Sequence, residues 1–399
     1  MKILLLNQTF YPDVVATAQY LSRVAEELAR RGHDVTVVSS RRAYDQPENV
    51  FAKSEIWRGV RILRVNSTRF GKGSKWRRIL DFGSFIFTCC LQLVRLPRQD
   101  LVVALTSPPL ISFIGALVSI LHGSKFCYWV MDFNPDEAIA AGWLRADSTA
   151  ARVLGCISEF SLKHAHRIIA LDRFMRDRIA AKKIPPEKIS VIPPWAYDHE
   201  IQFDPQGRDE FRRLHGIGEK FTVMYSGNHS PVHPLDTLIG AARLLHGNPD
   251  ILFCFVGGGS EFKKIVQIVQ EEKLPNVLCL PYQPLERLAG SLSAGDLHAV
   301  VMGDAMAGLV HPCKIYNILS IGSPVLYIGP TPSHVTELAS ECEKSLFLMA
   351  HHGETDRIAC LIRETAESRK TVERHAPRLF SFSSDVLLAK LIAALETLF

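Results

Sequence analysis

The chain has 399 residues, 47% hydrophobic and 22% charged, with a net charge of +5. That length is long for one hydrophobic core, so two domains are expected, each large enough to bury a core of its own. The mild basic excess gives no ground for a nucleic-acid partner without a clustered patch and a matching fold motif.

In chain order, the first half carries strand signals near 2–7, 34–39, 101–105, 125–131, 167–171 and 189–192. All are short and rich in Val, Ile and Leu, as strands covered on both faces should be. Between the first two lies a helical pattern with Leu21, Val24, Ala25 and Leu28 on one face, closed by Arg30, Arg31 and Gly32. The start is not a signal peptide, because the apolar run Ile3 to Leu6 is followed at once by Asn7 and Gln8. The longest apolar stretch, LISFIGALVSILHG, falls short of a membrane span and reads as a buried crossover helix. Nine cysteines are scattered without a C-x-x-C pair, which suits reduced thiols in the cytoplasm.

The segment VIPPWAYD at 191–198 marks a boundary. Beyond it come strand signals near 221–226, 250–256, 276–281, 296–302, 323–328 and 345–349, then a terminal helix over 383–399. Both halves open with the same layout of strand, loop, helix and strand, which builds a parallel sheet with right-handed crossovers. The expected domains are 1–195, 196–380 and a returning helix at 381–399.

In open sheets of this kind ligands bind at the carboxyl ends of the strands, and the candidate residues lie there. Gly227 and Asn228 end one strand, and Gly257, Gly258 and Gly259 end the next. Without a side chain, glycine lets a ligand approach the backbone. In AGLVHPCKIYNILSIGSPVLYIG, Pro312 is placed to start a helix running to about Ile321, with Lys314 in its first turn and Gly322 at its end. Free N–H groups, the helix dipole and an ammonium together suit a diphosphate. In the first half, the loop after strand one holds Asp13, Thr17 and Gln19, and MDFNPDEA holds Asp132 and Asp136; for Asp136 helix capping competes with a role in chemistry. Arg69, Lys72, Lys75, Arg77 and Arg78, with Phe70 and Trp76, precede an apolar helix and suit an anionic membrane surface or a plain solvated loop. P-loop, H-E-x-x-H, G-x-S-x-G and D-x-D motifs are missing, and the histidines show no metal spacing, so no metal is expected.

The ordered set KILLLNQTFYPDVVATAQYLSRVAEELARRGHDVTVV, YWVMDFNPD, RIIALDRFMRDRI, VIPPWAYD, YSGNHSPVHPLDTLIGAARLL, PYQPLERLAGSLSAGDLHAVVM and PCKIYNILSIGSPVLYIGP resembles bacterial glycosyltransferases of family 4. The likeness covers nearly the whole chain and is nearest to transferases of the colanic-acid, exopolysaccharide and O-antigen type. It implies an α/β GT-B fold: two Rossmann-like domains with parallel sheets facing across a cleft, the donor held mainly by the second. It also implies a retaining, metal-independent transfer with no cofactor beyond a nucleoside-diphosphate sugar. The acceptor would be a lipid-linked glycan at the inner membrane face, making the protein cytoplasmic and peripheral.

On the reading of the residues, Asp132 and Lys314 are expected in catalysis, and Gly227, Asn228, the 257–259 glycines, Pro312, Lys314 and Asn317 at the donor. Asp13, Thr17 and Gln19 fall on the acceptor side. The chain departs from the family twice. Leu309 and Asn317 stand where many members carry two glutamates, and the loop NHSPVHPLD lacks the usual Arg and Lys. These departures leave two alternatives open: an epimerase acting on a nucleoside-diphosphate sugar, or a non-catalytic partner subunit.

Overall fold

The computed structural model describes residues 1–13, 15–43, 48–68, 70, 75–196, 201–342, 346–368 and 382–399. Arg69 and Lys72 lie outside the described residues, as do the side chains of Lys75, Trp76 and Arg78; Arg77 is exposed. The chain divides into two compact units, Met1–Pro194 with Leu387–Phe399, and Trp195–Val386. None of the nine cysteines is in a disulfide.

The first unit is built on β1 (Lys2–Leu6), β2 (Asp34–Ser40), β3 (Ser54–Trp57), β4 (Val60–Val65), β5 (Leu101–Ala104), β6 (Lys125–Trp129), β7 (Arg167–Ala170) and β8 (Ile189–Val191). They form one sheet in the order β3-β4-β2-β1-β5-β6-β7-β8, parallel except for β3. The strands β3 and β4 escape the sequence reading. Their alternation of charged and apolar residues (SEIW, VRILRV) lacks the continuous apolar run of a central strand, because β3 is an edge. The first helix, Ala16–Arg30, begins earlier than its apolar pattern, so Thr17 and Gln19 belong to its first turn rather than to the preceding loop. It buries Leu21, Val24, Ala25 and Leu28 and ends at Gly32, whose φ of +85° is the left-handed cap a glycine supplies. The terminal helix Ser384–Glu396 joins this unit, with Glu396 pairing to Arg31 at 3.1 Å.

The second unit contains β9 (Phe221–Asn228), β10 (Ile251–Gly258), β11 (Val277–Leu280), β12 (Leu297–Val301), β13 (Val325–Ile328) and β14 (Phe347–Ala350). All six fall where their apolar runs predict them. The sheet is parallel throughout, in the order β11-β10-β9-β12-β13-β14. Counted from β9, that is the doubly wound order 3-2-1-4-5-6, whose direction reverses between β9 and β12. Phe253, Phe255, Tyr225 and Leu297 fill the core on one face with the helices Asp236–Leu244 and Thr355–Glu367.

The reversal is pinned at the amino ends of these two strands. Asp296, just before β12, accepts the Thr222 backbone N–H of β9 at 2.9 Å. It also pairs with Arg208 at 2.8 Å and Arg212 at 3.4 Å. Arg212 is buried and donates to the carbonyls of Gly218, Lys220 and Ala294. A buried charge pair is costly to break, because the survivor keeps its desolvation penalty. Asp296→Ala is expected to destabilise the protein by about 3–5 kcal/mol in urea unfolding, and Arg208→Ala, nearer the surface, by less. Equal small losses for both would remove the pin from the account.

Candidate functional site

Strand β12 follows β9 for two residue pairs only, Leu297↔Val223 and His298↔Met224. Past them β9 stays with β10 as far as Asn228, while β12 stays with β13 as far as Val301. The carboxyl halves therefore diverge, and a crevice opens at the reversal of strand order, where open sheets bind ligands.

The loop after β9 forms one wall. Gly227 has a φ of +129°, and a Cβ there would lie 3.2 Å from Lys314 Nζ. The bare backbone lets the ammonium sit against the strand end. Gly257 and Gly259 have a different reason for lacking side chains. A Cβ on Gly257 would collide with the Gly227 carbonyl, and one on Gly259 with the His229 carbonyl. These two glycines let the loops after β9 and β10 touch each other, and His229 N–H donates to Gly258 O at 2.8 Å. Gly258 faces the Tyr282 ring. Asn228 is exposed at the tip, its carbonyl held by Tyr225 Oη at 2.9 Å.

The opposite wall is the segment after β12. Its helix spans Lys314–Ser320, with Cys313 as N-cap and Ile321 as C-cap. Pro312 is thus not the first helical residue; it stands two positions outside. The reason lies in the preceding residue. His311 is fixed by its stack on His334, with centroids 3.8 Å apart, and by a 2.8 Å hydrogen bond between Nε2 and Tyr316 Oη. That anchoring holds the entry as a tight turn, and the helix begins at Lys314. Asn317 follows one turn later and is half-buried, and Leu309 is buried in the loop. Neither supplies a carboxylate here.

Lys314 Nζ is shielded from solvent and has no hydrogen-bond partner among the described residues. It sits 3.5 Å from the centroid of the Tyr225 ring, a cation–π contact. Burial pushes its pKa down to about 7, and no carboxylate acts on it. His229 and His233 line the same place, each pushed down to about 3, first by burial and then by the Lys314 charge. Both are neutral at physiological pH. The His229 Nδ1 lies 2.9 Å from the Gly227 carbonyl, which can only accept, so Nδ1 carries the proton and Nε2 does not. The cluster is a desolvated ammonium with neutral neighbours at the mouth of the crevice. Chemically it is made for an anion.

In the first unit, strand order also reverses, between β1 and β5. Asn7 at the end of β1 is fully buried and donates to Thr9 Oγ1 at 2.9 Å, and Thr9 Oγ1 meets Thr17 Oγ1 at 3.0 Å. Thr17 is therefore tied to the strand end. Asp13 and Gln19 lie nearby in sequence; the Asp13 N–H donates to Phe10 O at 3.0 Å and the Gln19 N–H to Val15 O at 3.1 Å. After β6, Asp132 and Glu137 form a half-buried carboxyl pair. Burial raises both, and the Asp132 charge raises Glu137 further. Asn134 Nδ2 donates to Glu137 Oε2 at 3.3 Å. Asp136 is spoken for: both its oxygens bind Lys182 Nζ at 3.0 Å, and Pro135 rather than Asp136 is the N-cap. Glu137 is the residue sequence reasoning missed. Its signal was its spacing from Asn134, one turn away at the start of a helix.

Two pH dependences follow. An unfolded lysine titrates near 10.4, so below that value the unfolded state binds a proton that the folded Lys314 site holds poorly. Stability should rise as pH climbs from about 7 toward 10, and Lys314→Met should abolish that rise and stabilise the ligand-free protein at neutral pH by on the order of 1–3 kcal/mol. Urea unfolding of both proteins across this range checks it. The carboxyl pair has the opposite sign. With folded pKa values above the ordinary carboxylate range, stability is full below about pH 4 and falls as pH rises toward neutrality. Glu137→Gln should flatten that fall, and an unaltered slope would mean the two carboxyls do not share a proton.

Comparisons with known proteins bear on the family and the fold. The Glycosyl transferase 4-like domain matches residues 16–195. The chain is 26% identical over 360 residues to the putative colanic acid biosynthesis glycosyl transferase WcaI of Escherichia coli (strain K12), covering 86% of each chain. It is 25% identical over 391 residues to the GDP-mannose-dependent alpha-mannosyltransferase of Mycolicibacterium smegmatis (strain ATCC 700084 / mc(2)155), covering 93% of this chain and 90% of that one. Among solved structures, Anabaena Alr3699/HepE in complex with UDP-glucose superposes with a TM-score of 0.73 at 17% identity, covering 100% of both chains. Residues 16–195 thus carry a glycosyl transferase 4-like domain, and the chain has the GT-B fold of glycosyltransferases.

Proposed function

We propose that this enzyme moves a glycosyl group from a nucleoside-diphosphate sugar to a lipid-linked glycan in surface polysaccharide synthesis. The observation that carries the donor assignment is Lys314: a buried, unpartnered ammonium against Gly227 at the point where strand order reverses. Two proteins similar to this chain support it by name, one in complex with UDP-glucose and one dependent on GDP-mannose. They differ in base, so the base is left to the experiment. The colanic acid relative supports a polysaccharide product.

In the reaction, the bond from the anomeric carbon to the diphosphate oxygen breaks and its electron pair stays on the diphosphate. The acceptor hydroxyl oxygen bonds to that carbon, and its proton passes to an oxygen of the departing diphosphate. Charge grows on the departing diphosphate, and a fixed cation in a dry site stabilises it strongly. Lys314 fills that role without a metal, which suits a D-x-D-free chain. The Gly227–Asn228 turn and the neutral His229 lie against the same group. We assign Pro312 and Asn317 to the donor side, Asp132 to the reacting centre, and Asp13, Thr17 and Gln19 to the acceptor. Retention of configuration and independence of metal and cofactor belong to this proposal.

The test is binding of UDP, GDP, dTDP and ADP, followed by transfer from the matching sugar nucleotide with and without chelator. A charge-assisted contact contributes about 1.5–3 kcal/mol, so Lys314→Met should weaken the preferred nucleoside diphosphate at least tenfold, with transfer by the wild type surviving chelation. Unchanged affinity in the folded variant overturns the assignment. Turnover of the donor sugar into its epimer without an acceptor would replace transfer by epimerisation.

A further inference from the structure

Lys314 answers the charge of a diphosphate and leaves its neighbours without a task. Two imidazoles within reach of its charge each have a buried ring nitrogen with no hydrogen-bond partner among the described residues, Nε2 of His229 and Nδ1 of His233. Native interiors pair nearly all their buried polar atoms. Carbonyls, which only accept, decide which nitrogen of each ring holds the proton. In His229, Nδ1 faces Gly227 O at 2.9 Å and carries it, so Nε2 has a bare lone pair. The His233 ring donates to the Val301 carbonyl at the end of β12. Its Nδ1 has no partner, so Nε2 is the donor and Nδ1 the bare acceptor. Burial and the Lys314 charge push both rings down to about 3, so neither takes a second proton at neutral pH.

His229 is fully buried, whereas His233 and Lys314 are half-buried, so a ligand in the crevice meets these two. The His233 ring is also held in place. Pro231 and Pro234 stiffen its loop, and the His233 N–H donates to Ser230 O at 2.9 Å. The Gly303 N–H donates to Val232 O at 2.9 Å, which ties this loop to the segment after β12. The unpartnered groups are of two kinds. The ammonium needs lone pairs, and phosphate oxygens supply them. The imidazole nitrogen needs a hydrogen, and an ionised diphosphate has none to give. A hydroxyl attached close to the phosphates meets that need. A nucleoside-diphosphate sugar has such hydroxyls on both sides of its diphosphate, on the ribose and on the glycosyl group.

We propose that His233 is a specificity-determining residue for the donor: its Nδ1 accepts a hydrogen bond from a sugar hydroxyl next to the diphosphate that Lys314 holds. This role rests on the donor reading of Lys314 and adds which part of the donor is read. A bare diphosphate fills only the cationic half of the site, and a hydroxyl beside it fills the other.

The experiment is calorimetric titration of the full chain with inorganic pyrophosphate, with whichever of UDP, GDP and ADP binds best, and with the glucose conjugate of that nucleotide. The variants are His233→Leu and His233→Asn. Both lose the bond to Val301, and only asparagine keeps an acceptor where Nδ1 stands. The wild type should bind the nucleotide or its conjugate more tightly than pyrophosphate. His233→Leu should lose about fivefold or more of that affinity, the worth of one hydrogen bond, and His233→Asn should stay within about twofold of the wild type. Both should bind pyrophosphate as the wild type does, which also shows that the variant site is folded. A loss that begins with the nucleoside diphosphate assigns the hydroxyl to the ribose, and one confined to the conjugate assigns it to the transferred sugar. Equal losses in the two variants overturn the proposal, because the bond to Val301 would then explain them. A loss shared by pyrophosphate overturns it too, as does full affinity in His233→Leu. Lys314→Met tests the underlying reading separately: pyrophosphate affinity untouched by that change removes the donor site itself.

Discussion

The site in the second unit depends on how two strands part company. Parallel neighbours normally pair along their whole length, and β1 and β5 do so from Ile3↔Leu101 to Leu6↔Ala104. Strand β12 leaves β9 after two pairs. Asp296 holds the amino ends together through Thr222, Arg208 and Arg212, so the divergence is confined to the carboxyl ends. Everything chemically unusual in this unit gathers at that opening: the left-handed glycines, the neutral imidazoles and the unpartnered ammonium.

A buried ammonium with no counter-ion is costly, and the choice of lysine limits the cost. Arginine stays protonated in any protein environment. Lysine can release its proton when the site is empty, and burial has brought Lys314 to about 7, where it does so in part. An arriving diphosphate restores the charge by attracting the proton back. The site is then positive when an anion fills it and partly neutral otherwise. The histidines assist by staying neutral: charged imidazoles here would repel Lys314, and burial keeps both near 3. The loop after β9 offers the neutral His229 and His233 and no permanent cation, so no fixed positive charge from that loop opposes Lys314.

How far this was legible follows from which forces leave a pattern in sequence. The six strands of the second unit are buried on both faces, and continuous apolar runs announced them. Strand β3 lies at the sheet edge and is largely exposed, and β4 beside it is buried but carries Arg61 and Arg64 within its run, so neither shows a continuous apolar stretch. Lys314 and Gly227 were readable because a basic residue near a helix start and a glycine at a strand end have few structural explanations. Their direct contact was not readable, since 87 positions separate them and only the sheet order brings them together. Pro312 misled because helix propensity is local, whereas the stack of His311 on His334 that shortens the helix is tertiary. Glu137 was hidden for the same reason: its interaction with Asp132 depends on the path of the loop after β6, which is tertiary and leaves no local pattern.

The two units share a layout but end their strands in opposite chemistry. In the second, the strand ends present a cation and bare backbone. In the first they present neutral hydrogen-bonding groups, Asn7, Thr9 and Thr17, and two carboxyls raised by burial, Asp132 to about 6 and Glu137 to about 8. A fold that repeats for reasons of packing has diverged where packing makes no demand, at the loops beyond the strands. An anionic leaving group needs fixed positive charge, and an uncharged sugar hydroxyl needs donors and acceptors without charge. Glu137, mainly protonated at neutral pH, also meets the second need, since its carboxyl offers a donor and an acceptor. The raised pKa values in the first unit and the lowered ones in the second thus have one physical origin: burial disfavours charge at both strand-end sites, and the residue types decide which charge is withheld.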